Sequence, residues 1–354
     1  MLRQLARLTR RVPAAGPRAL GIAVYAGATG KSFGARETGV EGVACVDDAA
    51  RGFILLSKLW VRTGNHELRR WAEGLLEFLL WMHDGDGRWV NFIYDWEGSR
   101  NLTGPTSAPG PNFWQARGTE AVTLAALLFD PPGVRPVLRA GFAAAAGSSP
   151  PADVRAIHAI AALEYLRAEP DPWLLSQLNG WCDELAECSS NGILMNSPDE
   201  RGRPHLWGHI QEAVLIEAAH CLERRDLIDV ARRSADSVFA EAIESGFDLP
   251  HIHPYDVQSA VFVMDRLESE TGEGRYKSSA RKARAWFSHR NPAHADVYMR
   301  TEGRVADGID EGKINEHSGA EANISAGLAL VDDPFVRVQA AGWSRPERQM
   351  DRTT

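Results

Sequence analysis

The chain has 354 residues, 44% of them hydrophobic and 24% charged, with a formal net charge of -8 at pH 7. That balance excludes a disordered chain, and no run approaches the about 18 unbroken apolar residues that a membrane span needs. With no long basic run beyond the N-terminus, it also excludes a nucleic-acid surface as the main business and leaves a neutral partner as the expectation.

Residues 1–40 read as a basic, partly irregular segment that precedes a main domain at 41–343 and a polar tail at 344–354. Arg3, Arg7, Arg10 and Arg11 are followed by a short, Gly-containing apolar stretch, interrupted upstream by Pro13 and Pro17. This makes a poor signal peptide. The four cysteines, Cys45, Cys182, Cys188 and Cys221, stand at no disulfide-scaffold or zinc-ribbon spacing, so free thiols and a cytoplasmic setting are expected. Gly27 to Ser32 reads G-A-T-G-K-S, but the first glycine of a phosphate-binding loop would fall on Tyr25, so no nucleotide site is expected there.

Beyond residue 40, apolar residues recur at spacings of three and four, and almost no stretch alternates as a strand does. Helices are predicted over 47–61 and 67–82, joined by a Thr63-Gly64-Asn65 turn, then over 114–129 and 134–146, separated by Asp130-Pro131-Pro132-Gly133. The pairing repeats at 152–167 with 172–188, at 206–223 with 226–244, at 254–271 with 277–289, and at 316–331 with a short final element at 334–343. These six hairpins predict an all-α fold, an (α/α)6 toroid, because each hairpin leaves an apolar side that only its neighbours can cover. Links inside the hairpins are short, whereas those entering the odd-numbered helices are long, and long loops in a compact domain are usually functional. All of them, with the inner-helix N-termini, are expected on one rim of a central funnel.

The residues collected there are Asp47, Asp48 and Arg51; Trp114, Gln115 and Arg117; Asp153; His205, Trp207 and Glu212; His253, Tyr255 and Asp256; and His317, Glu321 and Asn323. The long loops add Asp95, Trp96, Asp307 and Asp310. Acidic residues at helix starts are also favoured as caps, so Asp47, Asp153 and Asp256 would be common there even in a protein with no active site. The adjacent pair Asp47-Asp48 is harder to explain so, because one cap suffices and two neighbouring carboxylates repel. Planar acceptors and donors suit sugar hydroxyls, and eleven tryptophans supply faces for pyranose rings. The expected chemistry is hydrolysis of an oligosaccharide with inversion, one carboxyl protonating the leaving oxygen and another activating water. Asp48 or Asp95 would pair with Glu212, Asp256, Asp310 or Glu321. Asp47, Arg51, Gln115, Arg117, His205, His253, Tyr255, His317 and Asn323 would hold hydroxyls, and Trp96, Trp114 and Trp207 would stack the ring. No cofactor is required, and no third ligand stands beside His205 and His209 at a convincing metal spacing. Lyase chemistry on uronic acids, with a tyrosine as base, is the related alternative.

The stretches from Gly42 to Arg51 (G-V-A-C-V-D-D-A-A-R), Asn91 to Glu97 (N-F-I-Y-D-W-E) and Glu316 to Asn323 (E-H-S-G-A-E-A-N) resemble six-hairpin glycosidase-like proteins. The likeness is to the helical domains found beside or fused to bacterial glycosyltransferases. The resemblance implies an (α/α)6 fold and a carbohydrate role, with Asp47, Asp48 and Arg51 on the acidic motif of the first inner helix. It also implies a second reading, a non-catalytic glycan-binding or scaffold partner of a glycosyltransferase.

Overall fold

A computed structural model describes residues 1–33 and 42–331. Among them are twelve α-helices and several sheets of two or three very short strands. Helix α1 is Leu2–Leu8, α2 Val46–Thr63, α3 His66–Met82, α4 Phe113–Leu128, α5 Val134–Ala146 and α6 Ala152–Ala168. The remainder are α7 Pro172–Glu187, α8 Gln211–Cys221, α9 Asp226–Glu244, α10 Pro254–Thr271, α11 Gly274–Arg284 and α12 Ala320–Leu330. None is long and apolar enough to cross a membrane.

Helices α2, α4, α6, α8, α10 and α12 each pack against the next, and α12 closes onto α2, so the inner ring is complete. The toroid predicted from hairpin periodicity is the observed fold. Helices α3, α5, α7, α9 and α11 lie outside, each against its hairpin partner. The hairpin turns obey local rules. Gly64 ends α2 in the left-handed region at φ 69°, where a side chain would be strained, and Asn65 then caps α3 by accepting the Glu67 N–H at 2.9 Å. The predicted element at 334–343 and the tail at 344–354 lie outside the described residues. Beside α12 stands α1, so Leu5, Leu8, Val12 and Ile22 of the N-terminal stretch are buried in the same core as the ring.

The loops entering the inner helices meet through short strand pairs: Ala44–Cys45 with Phe92–Ile93, and Gly308–Asp310 with both His251–Ile252 and Lys313–Asn315. Helix α8 starts at Gln211, five residues later than predicted. His205 to Ile210 form a turn instead, closed by the His209 N–H on the Leu206 carbonyl (3.1 Å) and pinned by Asn196 Nδ2 on the His205 carbonyl (2.9 Å).

Candidate functional site

Arg51 is the hub of the rim. One turn into α2, its guanidinium lies 3.0 Å from Asp47, 2.8 Å from Asp48 and 3.0 Å from Glu321 at the start of α12. Three- and four-residue spacing puts both aspartates on the face of the helix that Arg51 occupies. Asp47 also pairs with Arg117 of α4. The series Arg117, Asp47, Arg51, Glu321 therefore ties together the starts of three inner helices, and it separates the fates of two adjacent carboxyls. Burial opposes ionisation of Asp47, but Arg117 and Arg51 hold it below the usual carboxylate range. Asp48 is 2% exposed, and burial pushes it up to about 7 against the pull of Arg51, with Glu321 and Asp47 adding to the rise. One of the pair is a fixed anion. Its neighbour can carry a proton near neutrality.

The second group opens α10. The His253 N–H donates to Asp256 at 2.9 Å, and Pro254 occupies the first helical position, where no N–H is needed. The ring of His253 stacks on Tyr255, centroids 4.9 Å apart. Its Nδ1 lies 3.0 Å from the main-chain carbonyl of Asp307. A carbonyl only accepts, so this contact is made by the tautomer with the proton on Nδ1 and Nε2 as the acceptor, whereas the Asp256 N–H directed at the same side chain in the capping box is met by the other tautomer. Burial pushes Asp256 up to about 6, and Asp307 likewise to about 6, the latter opposed by the Gly319 N–H at 2.7 Å.

His205, in the turn before α8, repeats the device. Its Nδ1 lies 3.0 Å from the Trp207 carbonyl, its ring stacks on Trp207 at 4.3 Å, and its Nε2 is 3.6 Å from Asp153. Burial pushes Asp153 up to about 6 and the His205 imidazolium below its usual range. Trp207 leans on Phe113, over which the Arg117 guanidinium lies, so this group joins the Arg51 series. His317, exposed before α12, meets the edge of Phe33 at 5.5 Å. Below the rim the funnel holds a solvent-open cavity of about 100 Å³, with Arg51 and Arg117 among its walls and Ile54, Ile157, Ile160 and Phe262 further along.

The structure thus brings together Asp47, Asp48, Arg51, Arg117, Glu321, His205, Trp207, His253, Tyr255, Asp256 and His317. Other expected site residues do different work. Asp95 accepts the Gly98 and Ser99 N–H groups of its own turn, at 2.9 and 3.0 Å. Asp310 sits in a hairpin between His251 and Asn315, each at 3.0 Å. Glu212 is fully buried, bound to His209 and Ser234. Trp114 and Gln115 spend their donors on the Trp89 and Gly87 carbonyls, which fastens α4 to the preceding loop. Asn323 is fully buried and bonds Val305, Ser318 and Gly319, and Trp96 packs against the core beside Gly21. Asp153 and Asp307, which the sequence reading placed at the rim without a catalytic or binding role, stand beside His205 and His253 respectively. Tyr25, close enough to feel Asp48, Glu321 and Asp307, was missed.

No family model matches the chain, and no curated protein matches it in sequence. Solved structures do match in fold. A cellobiose 2-epimerase from Bacillus thermoamylovorans B4167 aligns with TM-score 0.71 at 10% identity, over 95% of this chain and 96% of its own. A D-mannose isomerase aligns with TM-score 0.68 at 11% identity, over 96% of each chain. A GH76 alpha-mannanase from Bacteroides thetaiotaomicron aligns with TM-score 0.55 at 11% identity, over 85% of this chain and 87% of its own.

Proposed function

We propose that the protein is a sugar-processing enzyme whose rim moves a proton on an open-chain reducing sugar, as an isomerase or epimerase. The observation that carries this reading is the repeated histidine arrangement. His205 and His253 each have Nδ1 held by a main-chain carbonyl and a ring stacked on an aromatic neighbour. Each is thereby fixed in orientation, and the carbonyl contact favours the tautomer in which Nε2 is the base.

The chemistry then balances without a co-reactant. One imidazole takes the proton from the carbon next to the carbonyl, and the C–H electrons form a carbon–carbon double bond while the carbonyl electrons settle on oxygen. Arg51 or Arg117 supplies positive charge for that oxygen. A proton returned to the former carbonyl carbon, while the hydroxyl on the neighbouring carbon gives its proton to the former carbonyl oxygen and becomes the new carbonyl, gives the isomer; a proton returned to the opposite face of the first carbon gives the epimer. The isomerase and epimerase structures support this reading by spanning almost the whole chain in both directions, more fully than the mannanase does.

Hydrolysis with inversion is the second reading. It draws support from the carboxyls of Asp256 and Asp307, each held at about 6, close to the half-exposed Glu321, and from Asp153, also at about 6. That offers the protonated and ionised pair which glycoside cleavage requires. Incubation in D2O with a panel of aldoses, ketoses and 1,4-linked disaccharides, followed by proton NMR, separates the readings. Proton transfer predicts solvent deuterium at the carbon next to the carbonyl. New reducing ends without that deuterium would establish hydrolysis instead, and sugar binding without turnover would favour a binding protein.

A further inference from the structure

The N-terminal segment contributes no inner helix, yet it runs through the rim. Ala23 bridges to Ala44 just before α2. The Val24 N–H donates to the Val43 carbonyl at 3.1 Å, and the Val24 carbonyl accepts the Ala320 N–H at 2.9 Å. Ala26 accepts the Ser318 N–H at 2.9 Å. Gly319 is what admits the segment, since a Cβ there would lie 2.5 Å from the Val24 carbonyl oxygen. Residues 23–26 are therefore clamped between the starts of α2 and α12, the two helices that Arg51 and Glu321 join.

Tyr25 lies between two clamped residues, so the backbone fixes it while its side chain remains 41% exposed. Burial of its hydroxyl, with Cys45, Asp48, Glu321 and Asp307 around it, pushes the phenol up to about 12, which keeps it a proton donor throughout the neutral range. Its carbonyl accepts the Phe33 N–H at 3.0 Å, and Phe33 meets the His317 ring. The rest of the rim offers carboxylates, cationic arginines and imidazoles, together with the phenol of Tyr255, whose ring is stacked on His253. Tyr25 adds a second neutral donor, on an aromatic ring that is 41% exposed.

We infer that Tyr25 is a substrate-contacting residue, whose phenol donates a hydrogen bond to a sugar oxygen beside Asp48 and Glu321 and whose ring receives the apolar face of that sugar. The inference rests on the sugar-processing reading and extends it, because it makes the N-terminal segment part of the site. It also accounts for the backbone clamp on both sides of a large, partly exposed ring.

The test compares wild type, Tyr25→Phe and Tyr25→Ala by saturation-transfer NMR against the monosaccharide and disaccharide panel, with steady-state kinetics on whichever sugar turns over. Loss of one neutral hydrogen bond predicts sugar affinity about two- to tenfold weaker in Tyr25→Phe, with KM raised in step, kcat little changed and melting temperature unmoved. Tyr25→Ala should lose more of both, having lost the ring face as well. Wild-type binding with Tyr25→Phe indistinguishable from it would overturn the assignment alone. A wild type that binds no sugar would overturn the sugar-processing reading and the assignment with it.

Discussion

Two inner helices begin with the same pattern and put it to opposite uses. His209 and Glu212 stand three residues apart at α8, as His253 and Asp256 do at α10. At α8 the side chains consume one another. His209 bonds Asn196 at 2.6 Å and Glu212 at 3.0 Å, Glu212 accepts from Ser234 at 2.6 Å, and Gln211 donates to Asn196 at 2.9 Å. His209, Gln211 and Glu212 are fully buried. At α10 the carboxylate turns to a backbone N–H and the imidazole to a distant carbonyl. That leaves a basic nitrogen on a half-buried ring at the rim. Residue types and spacing make a polar cluster, while the partners they find decide whether it is a strut or a site.

Substitutions should pull the two clusters apart. The largest effect belongs to His253→Asn, which should lower kcat about 10²- to 10⁴-fold, the range for loss of a positioned acid or base, with little change in melting temperature. Glu212→Ala should do the reverse. Breaking a buried, hydrogen-bonded network predicts a loss of about 2 to 4 kcal/mol, read by urea unfolding, and the folded fraction should keep its turnover.

Asp256→Asn sharpens the contrast through pH. The folded carboxyl is raised to about 6 from an ordinary 3.8, so the native state binds its proton more tightly than the unfolded chain does. Its contribution is therefore fully favourable below the unfolded value and is lost as pH rises through the folded one, between about pH 4 and 6. Asparagine removes that loss. The variant should be more stable than wild type at pH 7 by about 1 to 3 kcal/mol, with the gain vanishing near pH 4. Equal stability gains at both pH values would contradict this. The smallest effect is expected at Asp95→Ala, which opens one surface turn, costs under about 1 kcal/mol and leaves kcat unchanged.

Much of the ring was legible in the sequence because its hairpin turns are local. Gly64 with Asn65, and the Asp130 to Gly133 stretch, mark ends and starts by rules that need only neighbouring residues. The Arg51 group was legible for the same reason, with Asp47 and Asp48 a helical turn away. What escaped were the residues whose places depend on partners far along the chain. Tyr25 reaches the rim through bonds from Val24 and Ala26 to Ala320 and Ser318, and its sequence neighbourhood pointed instead to a phosphate-loop fragment. Asp307 enters through a strand pair with 251–252. The inner helices α4, α6, α8 and α12 also carry almost no one-sided apolar stripe, because they are covered on nearly every face. Periodicity therefore could not say that Trp114 and Gln115 face the wall and Arg117 the lumen.

Proton transfer on a sugar by His253 at the rim is tested most directly by the rate at which solvent deuterium enters the carbon next to the sugar carbonyl, compared between wild type and His253→Asn at matched folding. Exchange is expected in the wild type and is expected to be lost in the variant. Undiminished exchange in the variant, or sugar turnover by the wild type without any deuterium entering that carbon, would contradict it.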